Sequence, residues 1–141
     1  MGRLETITIP LRFLLTTGHF LAAVLVFYHR DANIQAGLRE FADQDDFDTA
    51  ERSLLAALSL TMICFLFSFL GLFSGVSLFF SGVNVLQILA HFLGGLFTAW
   101  FVAETWHWKV MWIIFPFCSL LPALAEIALL VLTFGCRVIE Y

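Results

Sequence analysis

The chain has 141 residues and a mass of 15.9 kDa, which is room for one domain. Apolar residues make up 61% of it, charged residues only 13%, and its mean hydropathy is +0.94. A soluble domain of this size needs more polar residues to cover its surface. The chain has seven basic and eleven acidic residues, and its net charge of −4 argues against binding to nucleic acid. The composition therefore predicts an integral membrane protein surrounded by the lipid bilayer.

The first apolar run predicts a helix over about residues 9–28. This length is enough to cross a hydrocarbon core of ~30 Å. Arg12 lies at the edge of the run, where its long side chain is expected to reach the headgroups. The segment Tyr28-His29-Arg30 follows in place of a small-residue cleavage site, so we interpret the run as a retained signal-anchor helix.

Most of the charges lie in residues 29–53, which hold seven acids and three arginines. We expect a solvated loop with a short interfacial helix there. The alternative is a docking surface for the ectodomain of a partner. An EF-hand is excluded, because the run from Asp43 to Asp48 lacks the glycine required at the sixth position.

The 51 residues from Ser53 to Ala103 contain no charge. As one helix they would be about 75 Å long, too long for a bilayer core, so the chain must fold back. Glycine and serine interrupt the run at residues 74–77 and 81–84, which predicts helices over about residues 54–73 and 83–102.

The last apolar run predicts a fourth helix over about residues 110–134, which Pro116 and Pro122 are expected to bend. The overall prediction is an all-α bundle of four transmembrane helices with antiparallel neighbours, a longer loop between the first two, and both termini on one side. Basic residues are balanced between the two sides, so their distribution leaves the orientation open. One headgroup layer is marked by four tryptophans that lie within or beside residues 104–109: Trp100, Trp106, Trp108 and Trp112.

Three ionisable residues are predicted to lie inside the membrane: His19, His91 and Glu126. Such residues are expensive in lipid and are candidate functional residues by default. The third helix also carries the polar residues Asn84 and Gln87. Hydrogen bonds between helices are one explanation for these residues. The alternatives are a proton or ion path through the three ionisable residues, and haem ligation by the two histidines.

Small residues recur four positions apart in the predicted helices, as in Gly71-xxx-Gly75. This spacing is typical of closely packed transmembrane helices, within one chain or between chains. We predict that bulky substitutions at the glycines prevent assembly with partner proteins. The predicted interaction residues are Gly71, Gly75, Gly94, Gly95, Ser119 and Ala123.

No catalytic motif of the common hydrolase, metalloprotease, phosphate-loop or redox types is present. We therefore predict a protein that is not an enzyme and has no cofactor, no bound metal and no small-molecule substrate. Cys136 is a candidate for palmitoylation and Gly2 matches a loose myristoylation pattern.

An ordered series of motifs resembles the transmembrane protein 107 family over nearly the whole chain. The series begins with His29-Arg30-Asp31-Ala32-Asn33-Ile34-Gln35-Ala36 after the first span. The second span opens with Ala56-Ala57-Leu58-Ser59 and closes with Gly71-Leu72-Phe73-Ser74-Gly75-Val76-Ser77. The third span contributes Ala90-His91. The fourth span completes the series with Phe117-Cys118-Ser119-Leu120-Leu121-Pro122-Ala123, Glu126 and Phe134-Gly135.

This resemblance implies a non-enzymatic four-pass protein of the ciliary transition zone with cytosolic termini. Such a protein would recruit and hold other membrane proteins of the Meckel-syndrome complex, including tectonics, and would be anchored through cytosolic scaffolds. It would support the diffusion barrier at the cilium base, ciliogenesis and Hedgehog signalling. The resemblance supplies no catalytic residue.

Overall fold

A computed structural model describes residues 3–135, with side chains from residue 6 onward. Over these residues the chain is helical and contains no strand, and four helices are long and apolar enough to cross a membrane. They are α1 (Arg3–Gly37), α2 (Gln44–Ser74), α3 (Ser81–Ala103) and α4 (Trp108–Gly135). The predicted fold class is confirmed. The two candidate acylation sites, Gly2 and Cys136, lie outside the described residues.

Helices that are consecutive in the chain run antiparallel. Arg30 of α1 bonds Glu51 of α2 close to the turn between them, and Phe13 contacts Phe73 at the opposite ends. The first and third helices consequently run parallel, and α1 packs more extensively on α3 than on its sequence neighbour α2. The second and fourth helices form the other parallel pair.

Residues 29–53 are mostly helical, which corrects the expected long loop. α1 continues to Gly37 and α2 begins at Gln44, so only residues 38–43 lie between the two helices. Asp43 caps α2 by accepting a hydrogen bond from the Asp46 N–H at 3.0 Å. Ile34 and Ala50 are buried in the core at this end of the bundle, so the added turns are stabilised by packing as well as by the cap.

The turn between α2 and α3 depends on Gly75, which has a left-handed φ of 76° and ends α2. A short 3₁₀ helix, Val76–Phe79, follows it. The side-chain N–H of Asn84 donates to the Leu78 carbonyl at 2.8 Å, which ties the turn to the first turn of α3. The apolar turn is therefore folded onto the helix ends.

α4 is continuous but irregular. A five-residue π-helical turn, Pro116–Leu120, lies in its first half and is followed by regular α-helix from Leu121 to Leu130. Proline has no backbone N–H to donate, so it disturbs the regular helical ladder locally without ending the span. At the start of α4 the indole N–H of Trp112 donates to the Ser53 hydroxyl at 3.0 Å, joining α4 to α2.

Candidate functional site

Arg12 lies inside the bundle, which corrects the expectation that it reaches the headgroups. Its side chain is 1% exposed. The guanidinium donates to Ser77 at 2.9 Å and to Asn84 at 2.8 Å, and it forms an ion pair with Glu126. A buried guanidinium needs acceptors for its N–H groups, and these three side chains supply them.

One carboxylate oxygen of Glu126 accepts hydrogen bonds from side chains of two other helices. Its Oε1 accepts from Arg12 of α1 and from the Gln87 amide of α3 at 3.0 Å. The same amide nitrogen also donates to the Pro122 carbonyl of α4 at 2.8 Å. Glu126, whose side chain is 0% exposed, therefore joins α4 to α1 and α3, the helices of the other parallel pair.

The hydrogen-bond roles of the two histidines follow from Gln87. Its nitrogen is a donor, so its oxygen accepts the Nε2–H of His91 at 3.1 Å. The Nδ1 of His91 is then an acceptor, and it takes the Nδ1–H of His19 at 3.2 Å. The Nε2 of His19 ends the series as a buried acceptor with no partner among the described residues.

The three ionisable residues singled out by sequence therefore belong to one connected polar network with Arg12, Ser77, Asn84 and Gln87. Phe65 closes the network on the α2 side, with its ring edge-on to His19 at 4.8 Å and stacked on His91 at 5.7 Å. The two imidazole Nδ1 atoms contact each other directly, so there is no space between them for a haem iron. Over the described residues, no group of three or more His, Cys, Asp or Glu side chains is placed to hold a metal ion.

Sequence reasoning placed Arg12 wrongly, yet the chain carries a signal for its position. Arg12, Thr16 and His19 are spaced four and three residues apart, which places them on one face of α1. All three side chains are buried. An arginine on the same helix face as a buried histidine indicates an inward-facing side chain.

A second polar anchor lies at the other end of α1. The side-chain nitrogen of Asn33 donates to the carbonyls of Phe101 at 2.7 Å and Trp106 at 2.9 Å, at the C-terminal end of α3. Arg12 and Asn33 are 21 residues apart, about 31 Å along the helix. This separation is close to the thickness of a hydrocarbon core, ~30 Å.

The small residues proposed for interaction fall into different environments. A Cβ atom at Gly71 would overlap the Glu126 side chain, and one at Gly94 would overlap the His19 ring. Ser119 and Ala123 are each 1% exposed within the bundle. Gly75 has open space around it, and Gly95 is half-buried at the α1–α3 surface. Internal packing therefore uses four of the six positions: Gly71, Gly94, Ser119 and Ala123.

The comparisons with known proteins identify the family. The family model for the transmembrane protein TMEM107 matches residues 8–140, which include every residue of the polar network. The chain belongs to the transmembrane protein 107 family. It is 38% identical to transmembrane protein 107 of Homo sapiens over 137 residues, 97% of each chain. It is 36% identical to the Mus musculus protein over the same shares of both chains.

The resemblance inferred from the motifs is thereby confirmed. Similarity extends to transmembrane protein 107 of Danio rerio, with 36% identity over 122 residues, covering 86% of this chain and 90% of that protein. No solved structure matches the chain. In this transmembrane protein 107 family member, the polar network and the Asn33 anchor are features of the helical region matched by the family model.

Proposed function

We propose that this protein is a non-enzymatic assembly component of the ciliary transition zone. It recruits and holds other membrane proteins of the Meckel-syndrome complex, together with cytosolic scaffolds, and has cytosolic termini. In this role it supports the diffusion barrier, ciliogenesis and Hedgehog signalling. The observation that carries the proposal is membership of the transmembrane protein 107 family across residues 8–140.

The internal bonding supports a scaffold role. The charged and amide side chains of the polar network bond one another and link α1, α3, α4 and the turn after α2. Interactions of this kind define how transmembrane helices pack. A bundle with its helix positions defined in this way presents a constant lipid-facing surface to neighbouring proteins.

The decisive experiment is localisation of the full chain, tagged at one terminus, in ciliated cells that lack their own family member. We expect a signal at the cilium base and restored ciliogenesis. Uniform plasma-membrane staining by a stable, inserted protein would contradict the proposal.

The assembly surface is proposed to be the groove between α1 and α3. This groove of about 410 Å³ is open to the lipid and is bounded by small residues on both helices. The small residues are Gly18, Ala22, Gly95 and Ala99. Small residues on a lipid-facing surface allow the backbone of a partner helix to approach closely.

Gly18→Leu tests this surface because Gly18 is exposed and a Cβ there meets nothing within 4 Å, so the added side chain begins in open space. We expect the variant to insert and keep its thermal stability but to lose co-purification with partner membrane proteins. Gly82→Leu, at another open position, is the matched control. Leucine at Gly71 or Gly94 would instead disturb the bundle, so those positions cannot separate assembly from folding. Unchanged co-purification of Gly18→Leu would exclude this groove.

A second candidate function is proton conduction, because His19, His91 and Glu126 belong to one chain of hydrogen bonds through Gln87. The test is reconstitution in liposomes with an internal pH dye. Conduction through this chain requires a measurable flux that Glu126→Gln abolishes in protein shown by circular dichroism to remain folded in the liposomes. Absence of flux above empty liposomes would exclude this function and leave the assembly proposal intact.

A further inference from the structure

A polar cleft lies where the turn between α1 and α2 faces the start of α4. Its volume is about 310 Å³, within the usual range for small-ligand sites. Gly37, Thr49 and Trp108 form part of its lining. A Cβ at Gly37 would come within 2.7 Å of the Trp108 ring, so glycine at this position lets the two walls approach.

Two cations line this cleft, Arg39 from the turn and Lys109 from α4. Among the described residues neither side chain has an ion pair or a hydrogen bond, and Lys109 only lies over the Trp108 ring, 5.3 Å from its centre. Arg30, by contrast, is paired with Glu51 at 2.8 Å. Two unpaired cations in one cleft provide a site for an anionic oxygen group such as a phosphate.

The surrounding charge is negative. Asp46 lines the same cleft and has no cationic partner among the described residues. The neighbouring segment adds four exposed acids, Glu40, Asp43, Asp45 and Asp48. A ligand with a net negative charge would be repelled by this rim, whereas a ligand that carries an ammonium group beside its phosphate fits both signs.

The position of the cleft matches the headgroup layer. Trp108 forms one wall, and Trp106 and Trp112 lie on either side of it in the sequence, as in the aromatic belt at a membrane boundary.

We propose that this cleft binds the headgroup of a zwitterionic phospholipid. The phosphate lies between Arg39 and Lys109, and the ammonium group faces Asp46. The primary ammonium of phosphatidylethanolamine and the quaternary ammonium of phosphatidylcholine share this chemistry. The site is independent of the α1–α3 groove, so its occupancy does not depend on the assembly function proposed above.

The test measures binding of short-chain phospholipids to the purified full chain by native mass spectrometry, supported by thermal shift. Phosphatidylcholine, phosphatidylethanolamine and phosphatidylglycerol are titrated separately. We expect at least one of the two zwitterionic lipids to bind about tenfold more tightly than phosphatidylglycerol. Whichever of those two binds more tightly identifies the preferred ammonium group.

Three variants define the site. Arg39→Gln with Lys109→Gln removes both cations and is expected to weaken zwitterionic lipid binding about tenfold or more. Arg52→Gln, an exposed cation of α2 outside the lining, is the matched control and should bind normally. Asp46→Asn is expected to reduce the preference over phosphatidylglycerol, because four other acids of the rim remain. The proposal is overturned if phosphatidylglycerol binds the unmodified chain as well as the zwitterionic lipids, or if the double variant binds normally.

Discussion

Arg12 in α1 and Glu126 in α4 form an ion pair in which the two side chains are 1% and 0% exposed. The partners are 114 residues apart in the sequence, so this pair joins the first helix of the bundle to the last. Ser77, Asn84 and Gln87 supply further hydrogen bonds to the pair. Two charges that would be costly separately in the membrane are thus held as one polar unit.

Removal of one charge of this pair is expected to destabilise the protein strongly, because the remaining charge stays buried without its partner. Each single variant, Arg12→Gln and Glu126→Gln, should lose about 3–5 kcal/mol of stability. The double variant has no uncompensated charge and should lose less than the sum of the two. The measurement is a double-mutant cycle of thermal stability in detergent.

The same cycle on Arg30 and Glu51 is the control for the buried pair. Their side chains are 35% and 27% exposed, and we expect a coupling of about 0.2–1 kcal/mol. Equal coupling energies in the two cycles would show that burial does not distinguish the pairs.

Adjacent glycines of α3 are expected to respond differently to the same substitution. A Cβ at Gly94 would overlap the imidazole of His19, whereas a Cβ at Gly95 would make an ordinary contact of 3.4 Å with the His19 Cα. Gly94→Ala should therefore lose about 1–3 kcal/mol through overpacking, and Gly95→Ala should be close to neutral. Thermal unfolding of the two variants in one detergent measures the difference, and equal stabilities would contradict the packing of His19 on Gly94.

Substitution of His91 should lower the stability of the protein more than substitution of His19. His91 bonds both His19 and Gln87, so His91→Phe leaves two buried polar groups without partners. His19→Phe breaks one bond and also removes the unpartnered Nε2. Since one hydrogen bond between transmembrane helices contributes on average about 0.6 kcal/mol, the difference should be of that order. Unfolding midpoints that place His19→Phe below His91→Phe would contradict the central position of His91 between His19 and Gln87.

The span-forming parts of the chain could be predicted because hydropathy is a local property. α3 covers Ser81–Ala103 against a prediction of 83–102, and α4 covers Trp108–Gly135 against 110–134. The helical ends of α1 and α2 could not be predicted in the same way. Their burial depends on distant partners, as in the contact of Asn33 with the Phe101 carbonyl 68 residues away.

The candidate site was predictable only in part, for the same reason. Histidine and glutamate inside an apolar run are conspicuous in any sequence, and this identified His19, His91 and Glu126. Arg12 lies at the edge of its run, where hydropathy alone does not separate a lipid-exposed arginine from a buried one. Its place on the helix face of His19 indicates burial, but its ion-pair partner, Glu126, lies on the last helix of the chain and is not evident from local sequence.

The turn after α2 gives a further test of the polar network, because it carries Ser77. Ser77 accepts from Arg12 and donates to the Gly71 carbonyl at 3.2 Å, and its position depends on the left-handed Gly75 before it. Alanine at Gly75 would adopt this conformation at an expense of about 1–2 kcal/mol. We therefore expect Gly75→Ala to lower thermal stability, and Gly75→Asn to lower it less, since asparagine tolerates a left-handed φ.

Gly82→Ala is the matched control for this turn. Gly82 lies in the first turn of α3, a Cβ there meets nothing within 4 Å, and alanine should be neutral or stabilising in that helix. Combining Gly75→Ala with Arg12→Gln distinguishes a purely local effect from one transmitted to the network. Once Arg12 has been removed, displacement of Ser77 should matter less, so the combined loss should be smaller than the sum. Strict additivity would show that the turn is stabilised independently of Arg12.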